Sequence, residues 1–340
     1  MVDPITYQGW DELLLSHPDH SIFHTTGWAK VLIDSYDFIP HYFLCVEDGK
    51  SAVAMPMMEI RNFGAGTRGV SLPFSDYCDP LLSRNVPLQD VLANAIEYGK
   101  KKGLTSLEIR TRKDVPEEIS PFGYHLHHDL DITVGEEKLF SRFRDSNKRN
   151  IKNAARKGVE VKFQTSMKAV ENYYALHCGT RKKHGLPPQP FSFFRNIQKH
   201  ILSKSNGFVA LANYRGENIA GGIYIHFGAN ALFKFGASDV RYQETRANNL
   251  IMWEAIRWYS RSGFRNFSFG RTDPENEGLR NYKRGWGSNE NRIANIKYDV
   301  KKNTYINNKK LIYGFQNTIF GHLPMSISRQ IGKIFYKYMD

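Results

Sequence analysis

An internal repeat constrains the fold of this chain more than any other feature. Residues 95–111, AIEYGKKKGLTSLEIRT, align with residues 255–272, AIRWYSRSGFRNFSFGRT. Each segment begins with Ala-Ile, has a glycine eight residues after the alanine (Gly103 and Gly263) and ends in Arg-Thr. A glycine after a helical pattern is a common helix stop, and the apolar residues that follow it alternate as in a strand. Each segment is therefore predicted to be a helix followed by a strand.

The segments before the two repeats also match. YFLCVEDGKSAVAMPMM, around Asp48-Gly49, and FVALANYRGENIAGGIYIHF, around Arg215-Gly216, both read as hairpins with a polar-Gly turn. The length of 340 residues exceeds the roughly 250–300 at which one hydrophobic core stops growing. We therefore expect two copies of one α/β domain, with a first domain over 1–135, joined by the tail 301–340, and a second over 136–300.

The positive charge is concentrated in two places. The formal net charge is +13, of which residues 138–162 carry +7 and residues 301–340 carry +6. Localised basic patches on a neutral body favour anionic partners at defined places, although a solvated basic helix gives the same pattern. In the first patch Leu139, Phe143, Ile151 and Ala155 recur at helical spacing before Gly158. This pattern predicts a helix that displays Lys148 and Arg149.

Several classes of protein are excluded by the sequence. The three cysteines, Cys45, Cys78 and Cys178, show no metal-ligand spacing, and an odd count in a chain of this size indicates a reducing compartment. There is no apolar run long enough for a membrane-spanning helix and no signal peptide pattern, so a cytoplasmic protein is expected. The histidines of HLHHDLD are interpreted as partly exposed strand residues, and no metal site is expected.

One motif has two interpretations. RNFGAG, Arg61 to Gly66, matches the RxxGxG pyrophosphate loop of acetyl-CoA-dependent acetyltransferases. That loop requires a helix directly after it, whose N-terminal amides bind the phosphates. The residues that follow include Gly69, Pro73 and Pro80, which are incompatible with a helix. A glycine-rich hairpin tip is the favoured interpretation.

The stretch FGRTDPENEGLRNYKRGWG, which begins at Phe269, resembles the FGR…G…FKxxWG signature of FemAB-like proteins. Other segments agree in order along the chain: IFHTTGWAKVL, SLPFSDYCDPL, KRNIKNAARKGVEV, TRKKHGLPPQPFSFF and GASDVRYQETRANNLIMWEAIRW. The similarity spans about residues 20 to 300. It implies an α/β (α+β) fold of two tandem GNAT-like acyltransferase domains, which agrees with the internal repeat.

The resemblance also implies the reaction and its residues. FemAB-like proteins transfer an aminoacyl or acyl group to an amine, with aminoacyl-tRNA as donor in characterised members. Lys283 matches the motif lysine, whose ammonium suits a developing oxyanion, and Arg181 matches the arginine of the TR…GxP stretch, which suits a phosphate or carboxylate. Leu32 stands where members that bind a UDP-linked precursor tend to have a lysine, which weakens the expectation of that acceptor.

The remaining candidates complete the expected site. A base is needed for the attacking amine, and Asp239 and Asp273 are the candidates, although either suits a loop cap equally well. The expected substrate-binding residues are Arg181, Arg149, Lys148, Tyr77, Asp76 and Arg271. No bound cofactor is expected, because the donor, aminoacyl-tRNA or acyl-CoA, is itself a substrate.

The expected function is transfer to a small-molecule or lipid-linked envelope precursor during cell-wall or surface-polymer synthesis. The alternatives are an acyl-CoA-dependent N-acetyltransferase and a non-catalytic module that binds an anionic polymer or nucleic acid. In the tail, apolar residues recur at helical spacing between 320 and 338, with Arg329, Lys333 and Lys337 beside them. Such a helix either lies on the inner face of a membrane or packs on the first domain.

Overall fold

The computed structural model describes residues 1–47, 50–62, 64, 66–307 and 324–338. The strands are β1 (Ile39–Pro40), β2 (Phe43–Glu47), β3 (Lys50–Met55), β4 (Met58–Asn62), β5 (Gly66–Val70), β6 (Leu81–Leu82), β7 (Ser106–Thr111), β8 (Gly123–Asp131), β9 (Glu160–Gln164), β10 (Gly207–Tyr214), β11 (Glu217–Phe227), β12 (Asn230–Ser238), β13 (Asn266–Thr272), β14 (Asn289–Asp299) and β15 (Thr304–Tyr305). The α-helices are α1 (Trp10–Leu15), α2 (Thr26–Tyr36), α3 (Leu88–Lys102), α4 (Glu136–Arg142), α5 (Asp145–Arg156), α6 (Met167–Lys183), α7 (Phe191–His200), α8 (Ala247–Arg261), α9 (Glu277–Arg284) and α10 (Met325–Phe335).

The predicted repeat is confirmed as a structural unit. Helix α3 ends at Gly103 and is followed by β7, and α8 is followed, after Gly263, by β13. Both glycines have positive φ angles, 67° and 81°, in the left-handed region that favours glycine. Their conformation explains why neither helix continues past the glycine that the two copies share.

The hairpins differ more between the copies. β10 and β11 pair across Arg215 and Gly216, which have φ angles of 52° and 86°, as an Asn-Gly-type turn requires. β2 and β3 pair as predicted, but Asp48 and Gly49 lie outside the described residues. This first hairpin forms a separate sheet in the order β2-β3-β6, and the β4–β5 hairpin takes the place beside β7.

One sheet connects the two halves of the chain. Within the described residues it has twelve strands, in the order β1-β4-β5-β7-β14-β8-β13-β12-β11-β10-β9, with β15 beside β14. β14, late in the chain, lies between β7 and β8, whereas β8 lies between β14 and β13. The halves therefore exchange strands at their junction. The division at residue 135 stays a prediction.

The basic stretch does not form the single helix that its spacing predicts. α4 ends at Arg142, and Phe143 has extended backbone angles (φ −68°, ψ 145°) before α5 begins. Phe143 instead packs against Trp253 and Trp286, at ring distances of 5.4 and 5.0 Å. The free energy of burying this ring in the core outweighs the continuation of the helix. Ala154, and not the predicted Ala155, is the buried residue of α5, and the chain turns at Gly158 as predicted.

The C-terminal helix packs on the protein. Gly332 lies so close to the carbonyl of Pro188 that a Cβ atom there would be 2.2 Å from its oxygen. After α10, Tyr336 is buried with its ring 5.6 Å from that of Phe74. Phe320 and Leu323, which begin the series of apolar residues at helical spacing between 320 and 338, lie outside the described residues. Within the described parts of the chain, no helix is both long and apolar enough to cross a membrane.

Glycine at the α3 stop is expected to be needed for its φ angle alone, because no atom lies within 4 Å of a Cβ placed on Gly103. The substitution Gly103→Ala is expected to lower the free energy of unfolding by about 1 kcal/mol. Gly179, exposed within α6 and equally uncrowded, is the matched control, and Gly179→Ala is expected to stabilise by about 0.5–1 kcal/mol. Urea denaturation measures both, and a stabilised Gly103→Ala would contradict the left-handed stop.

Candidate active site

Lys283 is a buried lysine whose ammonium lies near the end of β13. It lies on α9, which begins with Asn276 accepting a hydrogen bond from the Leu279 amide, and its side chain is 4% exposed. Its ammonium donates to the carbonyl oxygens of Gly270 (2.9 Å) and Arg271 (3.0 Å). An ammonium has three donors, so one N–H has no partner among the described residues. Burial lowers the pKa of Lys283 to about 8.

Asp76 brings a carboxylate of the first half of the chain to the same place. It accepts hydrogen bonds from the Lys234 ammonium (2.9 Å) and the Arg271 amide (3.3 Å). Burial raises the pKa of Asp76, but Lys234 and Arg271 lower it more, so that the net pKa is below its ordinary value. Asp76 is therefore an anion between β12 and β13, where it also raises the pKa of Lys283.

Lys234 is a buried lysine on β12 that is not among the residues expected from the sequence. Its side chain is 6% exposed, and its ammonium lies 5.1 Å from the ring centroid of Phe23, 5.8 Å from that of Trp28 and 5.2 Å from that of Phe235. A cation in such surroundings is stabilised by the ring faces and by its carboxylate partner. The signal was available, because a single lysine interrupts the apolar strand ALFKF.

A cavity of about 600 Å³ lies next to the elements that carry Lys234 and Lys283. β12 pairs with β13 over only three residues, Asn230 to Leu232, and then separates from it. The cavity is bounded by β11, the end of β12, the start of α8 and α9, and Tyr282, the neighbour of Lys283, lines it. Its walls include Tyr224, Phe233, Gly236, Asn249 and Met252. The cavity therefore lies next in sequence to both buried lysines, through Phe233 beside Lys234 and Tyr282 beside Lys283.

The basic helix α5 is bonded to residues of α8 and of the turn after α9, near this cavity. The Arg144 amide donates to the carbonyl of Gly285, two residues after Lys283, at 2.8 Å. Asn147 accepts a hydrogen bond from the side chain of Asn249, a cavity residue, at 3.2 Å. Arg149 is exposed, and Lys148 forms an ion pair with Asp145 at 2.8 Å. The basic helix predicted within 138–162 is thus connected to the cavity through the hydrogen bond between Asn147 and Asn249.

The two candidate bases are held by other side chains. Asp239 lies at the cavity rim, accepts from the Arg241 amide at the start of a short 3₁₀ helix and pairs with its guanidinium at 2.6 Å. The hydrogen bonds from Arg241 lower the pKa of Asp239, which suits a loop cap better than a base. Asp273 is mostly exposed and bonded to His125 at 2.9 Å. Whether either acts as the base stays a prediction.

Two of the expected substrate-binding residues, Arg181 and Tyr77, interact with other residues of the protein. Arg181 donates to the carbonyl of Pro187 (3.2 Å) and to the hydroxyl of Tyr336 (3.3 Å). Tyr77 is buried, with the Arg112 guanidinium 3.9 Å from its ring centroid. Thr180, next to Arg181 on α6, lines the cavity, so α6 carries both a cavity residue and Arg181. The substrate contacts of both residues stay predictions.

The expected exposure of the strand histidines is wrong for two of the three. His127 and His128 are fully buried because β8 lies inside the sheet, between β13 and β14. His127 bonds to Asp129 at 2.6 Å and His128 to Glu290 at 3.1 Å. Burial lowers the pKa of His128 to about 4, and Lys283 acts in the same direction. Among the described residues, no group of three or more His, Cys, Asp or Glu is arranged to hold a metal ion.

The RNFGAG motif lies in a hairpin, as expected. β4 ends at Asn62 and β5 begins at Gly66, and the two strands pair antiparallel across the tip, of which Phe63 and Ala65 lie outside the described residues. Gly66 is at the start of β5, beside Thr105, whereas Asp76 follows the other end of that strand. The motif is therefore at the opposite end of β5 from the site that contains Lys283.

The comparisons with known proteins agree with this geometry. Residues 141–284 match the model of a family described as acetyltransferase (GNAT) domain. The UDP-N-acetylmuramoylpentapeptide-lysine N(6)-alanyltransferase of Weissella viridescens is 19% identical, and the match covers 75% of this chain and 81% of that protein. The crystal structure of FemX has 13% identity and a TM-score of 0.70, covering 86% of this chain and 96% of that one. A tandem GNAT protein from the clavulanic acid biosynthesis pathway has 11% identity and a TM-score of 0.50, covering 79% and 87%.

The fold and these similarities define an acyltransferase of the GNAT superfamily with two such domains in tandem. Within that superfamily, the similarities support a FemAB-like family. The fold and the family that the sequence motifs indicated are thereby confirmed.

The pKa of Lys283 has a consequence for stability. Because burial lowers it to about 8, the buried ammonium reduces stability below pH 8, and this reduction is lost as the pH rises towards the ordinary value of 10.5. Between pH 7.5 and 9.5, the free energy of unfolding of the wild type is expected to rise by about 2 kcal/mol relative to that of Lys283→Met. Urea denaturation at several pH values measures the difference. The exposed Lys302→Met is the control, and a pH-independent difference for Lys283→Met would contradict a lowered pKa.

The ion pair of Asp76 and Lys234 is expected to stabilise the junction of the two halves. Asp76→Asn leaves the Lys234 ammonium buried without its counterion and is expected to cost about 3–5 kcal/mol. Adding Lys234→Met to Asp76→Asn removes the unpaired charge and is expected to recover much of that loss. A double-mutant cycle by denaturation measures the coupling, and additive effects would show that the pair is not coupled.

Proposed function

We propose that this protein transfers an aminoacyl group from tRNA to an amine of a cell-envelope precursor. The observation that supports it most directly is the buried Lys283 ammonium, with one unused N–H, on a helix whose adjacent residue Tyr282 lines an open cavity. The similarity to a muramoylpentapeptide-lysine alanyltransferase supports the reaction class and the kind of acceptor.

The chemistry requires no nucleophilic side chain. The acceptor amine attacks the ester carbonyl carbon, forming the C–N bond and placing negative charge on the carbonyl oxygen. The Lys283 ammonium, held by two backbone carbonyls, stabilises that oxygen. The ester C–O bond then breaks, and the proton lost by the amine ends on the released hydroxyl of the tRNA. With a pKa of about 8, Lys283 is largely protonated at neutral pH, as this role demands.

The donor is proposed from the charge around the cavity. Exposed cations, including Arg142, Arg149, Lys152 and Arg156, lie on the successive helices α4 and α5, and α5 is bonded to the cavity residue Asn249 through Asn147. Such a surface suits the repeated phosphates of a polynucleotide and predicts strong salt dependence. Acyl-CoA is the second candidate donor. It is favoured by the cavity at the start of α8, which resembles the usual position of a phosphate-binding helix terminus.

The acceptor is proposed to be a peptidoglycan-type precursor with a free amine, and Arg181 is its proposed anion contact. Leu32 is fully buried in the core, so the position that some relatives fill with a lysine offers no charge here. This departure favours a lipid-linked over a UDP-linked precursor. The proposed base is the carboxylate of Asp239 or of Asp273. Substitution of each aspartate by Asn tests this role.

Aminoacyl transfer is expected to depend on Lys283. With alanyl-tRNA and a lysine-containing muramoyl pentapeptide, Lys283→Met is expected to lower kcat by about 10²–10³, because one oxyanion donor is lost. Lys302→Met, at an exposed turn after β14, is the control for charge. The products are measured by mass spectrometry, with acetyl-CoA and uncharged tRNA in parallel.

The other outcomes of this experiment point to the other functions. Transfer from acetyl-CoA alone would show that the donor is an acyl-CoA and not an aminoacyl-tRNA. Binding of tRNA without transfer, unchanged in Lys283→Met but weakened by Arg149→Ala, would identify a non-catalytic module for anionic polymers.

A further inference from the structure

A second cavity lies on the surface between α6, α7 and α10. Its volume is about 600 Å³, and it shares no residue with the cavity beside Lys283. It is lined by Glu171, Tyr174, Pro190, Phe191, Ser192, Arg195, Arg329, Gln330 and Lys333. The transfer reaction proposed above makes no use of it. Its walls come from the second half of the chain and from the C-terminal helix.

The rim of this cavity is positively charged. Arg195, Arg329 and Lys333 contribute three cations, and none of them forms an ion pair with a carboxylate within the described residues. The single acidic residue, Glu171, lies 3.6 Å from the ammonium of Lys168 on the same helix. An anionic group of a ligand is therefore attracted to the rim.

The floor of the cavity is aromatic. The rings of Tyr174 and Phe191 lie 5.0 Å apart, and the Arg329 guanidinium is 5.5 Å from the Tyr174 ring centroid. The Arg329 guanidinium is therefore held at the edge of an apolar surface. An amphiphilic ligand, whose charged and apolar parts are adjacent, matches this arrangement.

The exposed face of α10 is likewise divided into a basic flank and an apolar flank. Ser328 and Gly332 face the protein, because Ser328 is buried and Gly332 packs on Pro188. Helical spacing then places Arg329 and Lys333 on one flank of the solvent face, and Ile327 and Ile331 on the other. Ile327 is 47% exposed. A free sugar phosphate or a nucleic acid would leave this isoleucine in water, whereas the interface of an anionic membrane would contact both flanks.

We propose that this cavity binds the phosphate head group of an anionic phospholipid and thereby docks α10 on a membrane surface. Arg195, Arg329 and Lys333 hold the phosphate, the two rings contact the start of the acyl region, and Ile327 enters the interface. The interaction is peripheral and electrostatic, so it weakens as salt screens the charges. It is independent of the transferase proposal, because it requires neither donor nor aminoacyl acceptor.

Co-sedimentation of the full chain with vesicles tests the proposal. Binding is expected to vesicles of phosphatidylcholine with phosphatidylglycerol, to fall with salt and to be absent with phosphatidylcholine alone. The double variant R329Q/K333Q is expected to bind about 30-fold more weakly, because each basic side chain near an anionic surface contributes a factor of about five. K301Q/K302Q removes the same charge from an exposed turn after β14 and is expected to retain most of the affinity.

The controls separate the proposal from its alternatives. Equal loss in both double variants would overturn it, because long-range charge alone would then explain binding. Competition by millimolar glycerol phosphate as complete as that by short-chain phosphatidylglycerol would overturn the lipid and indicate a free phosphate ester. R195Q, on the opposite wall, is expected to bind about fivefold more weakly without disturbing α10. Loss in R329Q/K333Q alone, without any in R195Q, would show that the cavity is not the site.

Discussion

The ion pair between Asp76 and Lys234 is the interaction on which the site depends. It joins a loop of the first half to β12 of the second, and the same carboxylate accepts the Arg271 amide of β13. β12 and β13 separate at this level, so Asp76 occupies a position where backbone partners are missing. Lys283 bonds to the carbonyls of Gly270 and Arg271 on the same strand. The position of the ammonium therefore follows from the contact between the halves.

The strand exchange makes that contact rigid. β14 pairs with β7 and β8, and β8 pairs with β13, so neither half completes its sheet alone. α9, which supplies Lys283, lies between β13 and β14 in the chain and is fixed at both ends by strands in the exchanged region. A buried ammonium is costly unless its surroundings are preorganised. The continuous sheet supplies this preorganisation.

The sequence contained most of the fold but only part of the site. The repeated helix, glycine and strand could be predicted because their signals are local, and Lys283 was visible within its motif. Lys234 was missed because its partner Asp76 is 158 residues away, and a sequence pattern shows no contact at that separation. The break between α4 and α5 was missed for the same reason, since Trp253 and Trp286 that bury Phe143 are distant in the chain. The buried histidines required knowledge of which strands flank β8.

The C-terminal segment connects the two proposals. Arg329 lies at the rim of the proposed lipid cavity. Tyr336, seven residues later, packs its ring on Phe74 and accepts a hydrogen bond from Arg181. Seven residues of helix span roughly 10 Å, about the size of a phospholipid head group. A membrane docked on α10 would therefore lie close to the arginine proposed to bind the acceptor. A lipid-linked precursor could then reach Arg181 while its lipid remains in the membrane, whereas a UDP-linked precursor would gain nothing from such docking.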